Sequence, residues 1–143
     1  LQKQGTNIDL VCCIYATATF IQADDLKESL KQIENEDTNY CFSVTSYPFP
    51  IQRSIRITEE NRFEMFQPGM FNKRSQDLEE AYHDAGQFYW GKTAAWLETE
   101  QMFSLKSTPY ILPRYLVQDI DTEEDWLQAE LMFEVLKRFE QNR

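Results

Sequence analysis

The stretch Ile8–Tyr15, IDLVCCIY, constrains the fold more than any other. An apolar run of strand length with little polar alternation fits a strand covered on both faces, as in a parallel sheet flanked by helices. Ala16-Thr17-Ala18-Thr19-Phe20 follows, small and hydroxylated, suited to a tight strand-to-helix loop at the carboxyl edge of a sheet. Ligands of open α/β sheets gather at that edge. A core strand this early in the chain leads us to expect further chain before it.

Helical spacing of Leu26, Leu30 and Ile33, with Lys27, Glu28, Lys31 and Glu34 on the other face, predicts a covering helix from Asp24 or Asp25 to about Asn35. Cys41–Tyr47, CFSVTSY, alternates as a second strand, which Tyr47-Pro48-Phe49-Pro50 breaks. Ile51–Phe66 reads as a hairpin turning at Glu59–Arg62, and Gln67–Lys73 as a loop. Pro48 to about Tyr82 therefore forms an excursion from the main sheet. Its aromatics Phe49, Phe63, Phe66 and Phe71 are expected to be exposed and to favour a partner. Gly86–Gly91, GQFYWG, predicts a short strand, Thr93–Glu98 a helix, and Pro109–Arg114 an edge strand, where prolines are tolerated. The stripe Trp126, Ala129, Met132, Phe133, Leu136 and Phe139 on a helix from Thr122 to about Phe139 reads as core packing. With 143 residues, 42% of them hydrophobic, one domain with a real core is expected.

The chemistry concentrates in Val117–Trp126, VQDIDTEEDW. If a strand ends here, Asp119 and Asp121, two apart, share a face. Thr122 then offers a capping hydroxyl to a helix whose first turn is rich in carboxylates. Two carboxylates so placed suit Mg²⁺, which takes one or two protein carboxylates and fills its other sites with water and phosphate oxygens. The competing reading makes Asp121 a helix cap and Asp119 a solvated strand-end residue. A formal net charge of −10 argues against nucleic acid and anionic membranes as partners. Cys12, Cys13 and Cys41 have no metal-ligand spacing and read as buried free thiols in a reducing compartment. No apolar run is long enough to cross a bilayer, and Leu1–Gly5 lacks the apolar core of a signal peptide, so a cytoplasmic location is expected.

Four segments, VCCIYATATF (Val11–Phe20), FSVTSYPFPIQR (Phe42–Arg53), FNKRSQDLEEAYHDAGQFYWG (Phe71–Gly91) and LPRYLVQDIDTEEDW (Leu112–Trp126), carry a resemblance. Together they resemble the C-terminal two-thirds of the CMP–nonulosonic acid synthetases, the acylneuraminate cytidylyltransferase family. SYPFPIQR and YHDAGQFYWG favour its pseudaminic acid branch over the sialic acid branch. The resemblance implies an α/β fold: a Rossmann-like nucleotide-diphospho-sugar transferase sheet flanked by helices. Residues 1–143 form part of a single domain in that reading, and about 48–82 form a protruding β-hairpin that makes a homodimer.

The implied reaction is attack of the anomeric hydroxyl of a nonulosonic acid on the α-phosphate of CTP, giving CMP-sugar and pyrophosphate with Mg²⁺ as cofactor. Asp119 and Asp121 match the family's metal carboxylates. Tyr15 stands where relatives place a sugar-contacting Gln, and Thr19 where they usually carry proline. Gln52 or Arg53, Arg74, Asp84, and Gln87 with Tyr89 match positions around the acidic-sugar pocket. Arg74 either pairs bidentately with the sugar carboxylate or balances Asp77, Glu79 and Glu80. His83, the only histidine, is a general base, a hydrogen-bond donor to sugar, or neither. The family's glycine- and Arg/Lys-rich loop for the triphosphate has no counterpart in these residues, so alone they are not expected to turn over CTP. A sialic acid substrate and a non-catalytic dimerisation module are the alternatives.

Overall fold

The computed structural model describes Gly5, residues 7–34 and residues 37–141. A four-stranded sheet runs in the order β1 (Leu10–Ile14), β5 (Tyr82–Lys92), β2 (Tyr40–Ser46), β6 (Ser107–Ile111). β5 is antiparallel to both β1 and β2, while β2 and β6 are parallel. Strands β1, β2 and β6 thus share one direction, with β5 reversed between them. The sheet is mixed, and helices flank it: a Rossmann-like nucleotidyltransferase arrangement fits.

Helix α1 (Ala23–Ile33) connects β1 to β2, as its spacing predicts, while Asn35 lies outside the described residues. Its Leu26 packs with Ile21, Cys12, Trp90 and Tyr110 around buried Ala85, Phe88 and Leu112. The Tyr110 hydroxyl donates to Asp25 at 3.1 Å, and burial first, then that bond, pushes the phenol up to about 12. On the other face Tyr40, Phe42, Val44, Tyr89 and Ala95 form a second cluster under Trp96 and Met102, with short helix α2 (Thr93–Leu97) as part of the cover. Burying such side chains contributes about 1.5–3 kcal/mol each. Central β2 is buried on both faces, so its polar alternation serves internal hydrogen bonding. The Thr45 hydroxyl donates to the Leu112 carbonyl at 2.9 Å.

Several expectations need correction. β1 is not the doubly covered central strand its composition suggests. Among the described residues it pairs only with β5, and Val11 and Ile14 are exposed; hydrophobicity specifies a need for cover, not its source. Cys13 is exposed as well, whereas Cys41 is buried and all three thiols are free. His83 lies not in a loop but in β5, opposite Thr45, because the strand runs eleven residues and not six. No strand forms over Val117–Asp121. β6 ends at Ile111, Pro113 offers no amide, and a 3-10 turn over Arg114–Leu116 leads the chain off the sheet.

Helix α3 (Glu123–Gln141) starts where expected, but its apolar stripe is not core. Of that stripe only Ala129 is buried; Trp126 and Phe133 are each 56% exposed. A groove of about 430 Å³ opens between α3 and the loop after β1, lined by Thr19, Phe20, Ile120, Trp126, Ala129 and Phe133 among others. Helical periodicity shows that a face is apolar without showing what lies against it.

A hairpin forms within Ile51–Phe66, shorter than expected, with 3-10 turns at Ile51–Arg53 before it and Pro68–Met70 after it. β3 (Ile55–Ile57) and β4 (Phe63–Met65) make a separate two-stranded antiparallel sheet. Asn61 at φ 56° turns the chain, and Arg56 forks onto Glu64 at 2.7 and 2.9 Å across the pair. Phe49, Phe63, Phe66 and Phe71 are all exposed, as expected.

Candidate active site

The site gathers around an irregularity in β5. Phe42 pairs with Tyr89 and Val44 with Asp84, so the single residue Ser43 faces the four residues 85–88. Extra residues in one strand leave amides without ladder partners, and side chains must satisfy them. The Ser43 hydroxyl, fully buried, accepts from the Gln87 and Phe88 amides at 3.3 and 3.2 Å. The Asp84 carboxylate accepts from the Gly86 amide at 2.9 Å. Gly86 sits at φ +62°, a conformation open to glycine at no steric cost.

This bulge reaches in both directions. The Gln87 carbonyl accepts from the Tyr15 amide at 2.9 Å, fixing the start of the loop after β1. The Gln87 side chain, 2% exposed, donates to the Leu116 carbonyl and so anchors the segment that leads to Asp119. The Asp119 carboxylate then lies against Gly86, with Cγ and Oδ2 each 3.7 Å from where a β-carbon would stand. Tyr89 donates its hydroxyl to Asp84, at 2.8 and 2.7 Å from the two carboxylate oxygens, and its ring lies 5.1 Å from that of Tyr15. Burial first, then the Asp84 hydrogen bond, holds the Tyr89 phenol far above its ordinary value, so it remains a donor.

The structure therefore brings Tyr15, Asp84, Tyr89 and Asp119 together, with Gln87 as a buried tie. Asp121 follows in an exposed turn, and its side chain is not the helix cap. Thr122 is: its hydroxyl accepts from the Asp125 amide at 3.2 Å, and Asp125 Oδ2 accepts from the Thr122 amide at 2.9 Å. This reciprocal capping box also draws the Asp121 amide onto Asp125 at 3.2 Å. Among the described residues neither the Asp119 nor the Asp121 carboxylate accepts a hydrogen bond or ion pair, and both are exposed. Free carboxylates are the ligand type a hard, partly hydrated cation takes, although the strand expected to align these two is absent. Among the described residues no cluster of three or more His, Cys, Asp or Glu is placed to enclose a metal by itself.

His83 adjoins this group. Its Nδ1 lies 2.8 Å from the Asp84 carbonyl, which can only accept, so Nδ1 carries a proton and Nε2 is the nitrogen left for other partners. The ring packs 4.7 Å from that of Tyr47. Tyr47 in turn lines a groove of about 450 Å³ with Pro48, Phe49, Pro50, Arg53 and Ser75 among its walls. The remaining candidates tie the excursion together. Arg53 donates to the Lys73 carbonyl, Gln52 to the Glu79 carbonyl at 2.9 Å, and Arg74 pairs with Asp77 at 2.9 Å on the surface. Gln52 Oε1 is buried without a partner among the described residues.

Sequence reasoning missed Ser43 and the positive φ of Gly86. The glycine inside an otherwise strand-like HDAGQFYW was the available signal for a bulge.

No protein-family profile matches the chain. It is 42% identical over 135 residues to a pseudaminic acid cytidylyltransferase of Campylobacter jejuni, a match covering 94% of this chain and 58% of that protein. It is 34% identical over 113 residues to a Helicobacter pylori protein named pseudaminic acid cytidylyltransferase and UDP-2,4-diacetamido-2,4,6-trideoxy-beta-L-altropyranose hydrolase, covering 78% of this chain and 22% of the relative. An N-acylneuraminate cytidylyltransferase B of Danio rerio is 27% identical over 129 residues, 86% of this chain and 29% of the relative. The chain is thus a partial homologue of the pseudaminic acid cytidylyltransferases, spanning 94% of its own length but only 58% of the Campylobacter protein and, over a shorter match, 22% of the Helicobacter one.

Proposed function

We propose that the protein is a cytidylyltransferase that transfers CMP from CTP to the anomeric hydroxyl of a nonulosonic acid, pseudaminic acid by preference, releasing pyrophosphate. The observation that carries this is the 42% identity spread over 94% of the chain. In this reading residues 1–143 form the C-terminal two-thirds of a single domain, its sugar and metal side. A glycine-rich basic loop is not among them, and alone they do not turn over CTP.

Asp119 and Asp121 would hold Mg²⁺, which supplies charge neutralisation at the phosphates and Lewis acidity toward the phosphoryl oxygen. Tyr15, Gln52, Arg53, Arg74 and Tyr89 belong to the region that receives the acidic sugar, with Gln87, buried and tied to the Leu116 carbonyl, as its internal support and not a sugar contact. Tyr15, exposed and backed by the buried Tyr89 ring, offers an aromatic face to it, and Arg53 or Arg74 supplies positive charge for the carboxylate. Nε2 of His83 takes the proton as the sugar oxygen bonds to the α-phosphorus and the bond to the pyrophosphate oxygen breaks. The exposed aromatics of the excursion support a homodimer formed through residues 48–82. Three free thiols fit a cytoplasmic setting.

The test measures pyrophosphate release from CTP with a panel of nonulosonic acids, using the protein expressed from its own gene and, separately, these 143 residues. Turnover with pseudaminic acid, abolished by Asp121→Asn, is expected for the first and none for the second. Preference for N-acetylneuraminic acid would move the assignment to the sialic acid branch. No turnover with any acid would refute the enzyme reading.

A further inference from the structure

Asp84 stands at the centre of the site, yet its carboxylate is already occupied. Oδ1 accepts from the Gly86 amide at 2.9 Å and lies 2.8 Å from the Tyr89 hydroxyl, while Oδ2 lies 2.7 Å from that same hydroxyl. Its backbone carbonyl meanwhile holds His83 Nδ1. A group so engaged would have to give up its internal partners to bind a ligand. What it does achieve is local geometry. Its bond to the Gly86 amide helps hold that residue at φ +62°, and Gly86 then presents bare backbone to Asp119.

We propose that Asp84 is a positioning residue: it locks the β5 bulge so that Gly86 forms a seat, free of side chain, for the Asp119 carboxylate. Asp84 itself touches neither sugar nor metal. The lock acts through hydrogen-bond shape and not through the charge of Asp84. Its functional consequence rests on the reading of Asp119 as a metal ligand, whereas the lock itself does not. Metal-site outer partners of this kind typically change affinity by about 10–100-fold when removed.

The experiment compares wild type, Asp84→Ala, Asp84→Asn and Asp119→Asn by two independent measurements on the protein expressed from its gene. NMR reads the nuclear Overhauser contact between the Gly86 α-protons and the Asp119 β-protons, with amide exchange at Gly86. Titration with Mn²⁺ as a probe reads metal affinity. Asp84→Ala is expected to lose the contact, speed Gly86 exchange at least about tenfold, and weaken Mn²⁺ about tenfold. The Tyr89 and Trp90 amides should stay protected.

Asp84→Asn keeps an acceptor oxygen for the Gly86 amide and is expected to retain the contact and near-wild-type Mn²⁺ affinity. If Asp84 were a direct charged ligand, Asn would be as damaging as Ala while the contact survived in both, and that result overturns the proposal. Survival of the contact in Asp84→Ala overturns it equally. If wild type and Asp119→Asn bind Mn²⁺ alike, the metal reading fails, and the NMR arm still decides the lock.

Discussion

Gly91→Ala is expected to be among the most destabilising single substitutions in this chain, although the local rule predicts the opposite. Gly91 lies in β5, paired with Val11 and Tyr40, at a φ that any residue adopts. In open space, Gly→Ala at such a position stabilises by about 0.4–1 kcal/mol through the unfolded chain. Here a β-carbon would stand 2.2 Å from Trp96 Nε1, 2.7 Å from Trp96 Cε2 and 2.8 Å from Tyr40 Cδ1. The Trp96 ring must therefore retreat by about 1.2 Å to reach an ordinary 3.4 Å contact.

It has little room to do so. Trp96 packs edge-on against Tyr40 with centroids 5.1 Å apart, and Tyr40 is only 2% exposed. Overpacking of this kind costs about 1–3 kcal/mol, and two constrained rings place the expected loss near the upper end, about 3 kcal/mol. For a chain of this size that is a fall in Tm of about 10 °C. Urea denaturation followed by tryptophan fluorescence measures it. Gly69→Ala, where nothing lies within 4 Å, is the control and should stay within about 0.5 kcal/mol of wild type. A Gly91→Ala protein as stable as that control would refute the steric argument.

Thr122→Ala removes the hydroxyl of the capping box and should cost about 1 kcal/mol, read as a lower urea midpoint with unchanged slope. Asp125, its partner, has its carboxyl held below the ordinary value by the Thr122 hydroxyl first and then by the Asp121 and Thr122 amides. Its folded pKa is depressed, so its contribution is full above the ordinary carboxylate range and fades as pH falls through the folded value; Asp125→Asn should flatten that acid-side loss of stability. Thiol labelling at pH 8 should modify exposed Cys13 first, whereas burial pushes Cys12 up to about 11 and Cys41 up to about 12 and keeps both slow. If the proposed homodimer forms through the hairpin, Phe63→Glu should shift the mass measured by light scattering from dimer to monomer without changing the circular dichroism, and an unchanged mass would overturn that proposal.

Much of the architecture is legible in local patterns. The spacing of Leu26, Leu30 and Ile33 gives α1, the polar turn before Phe63 gives the hairpin, and Thr122 with Asp125 marks the start of α3. What is not legible is which strand lies beside which. The apolar composition of β1 announces a buried strand, but burial depends on neighbours brought from elsewhere in the chain, and Val11 and Ile14 remain exposed. The candidate site shows the same division. DID and HDAGQFYW can be picked out as motifs, yet their meeting depends on the bulge opposite Ser43 and on a left-handed Gly86, both products of long-range pairing. The strand expected to align Asp119 with Asp121 is absent because Pro113 stops the ladder first.

Helix α3 has a consequence for how the chain opens. Nineteen residues long and with Ala129 alone of its apolar stripe buried, it rests on its cap and its own backbone bonds more than on the sheet. A helix of that length is near the margin of stability in water. It should behave as its own cooperative unit, exchanging its amides through local openings of low free energy while those of β2 and β5 wait for global unfolding. Trp126 would report the first event, and Trp90 and Trp96 the second.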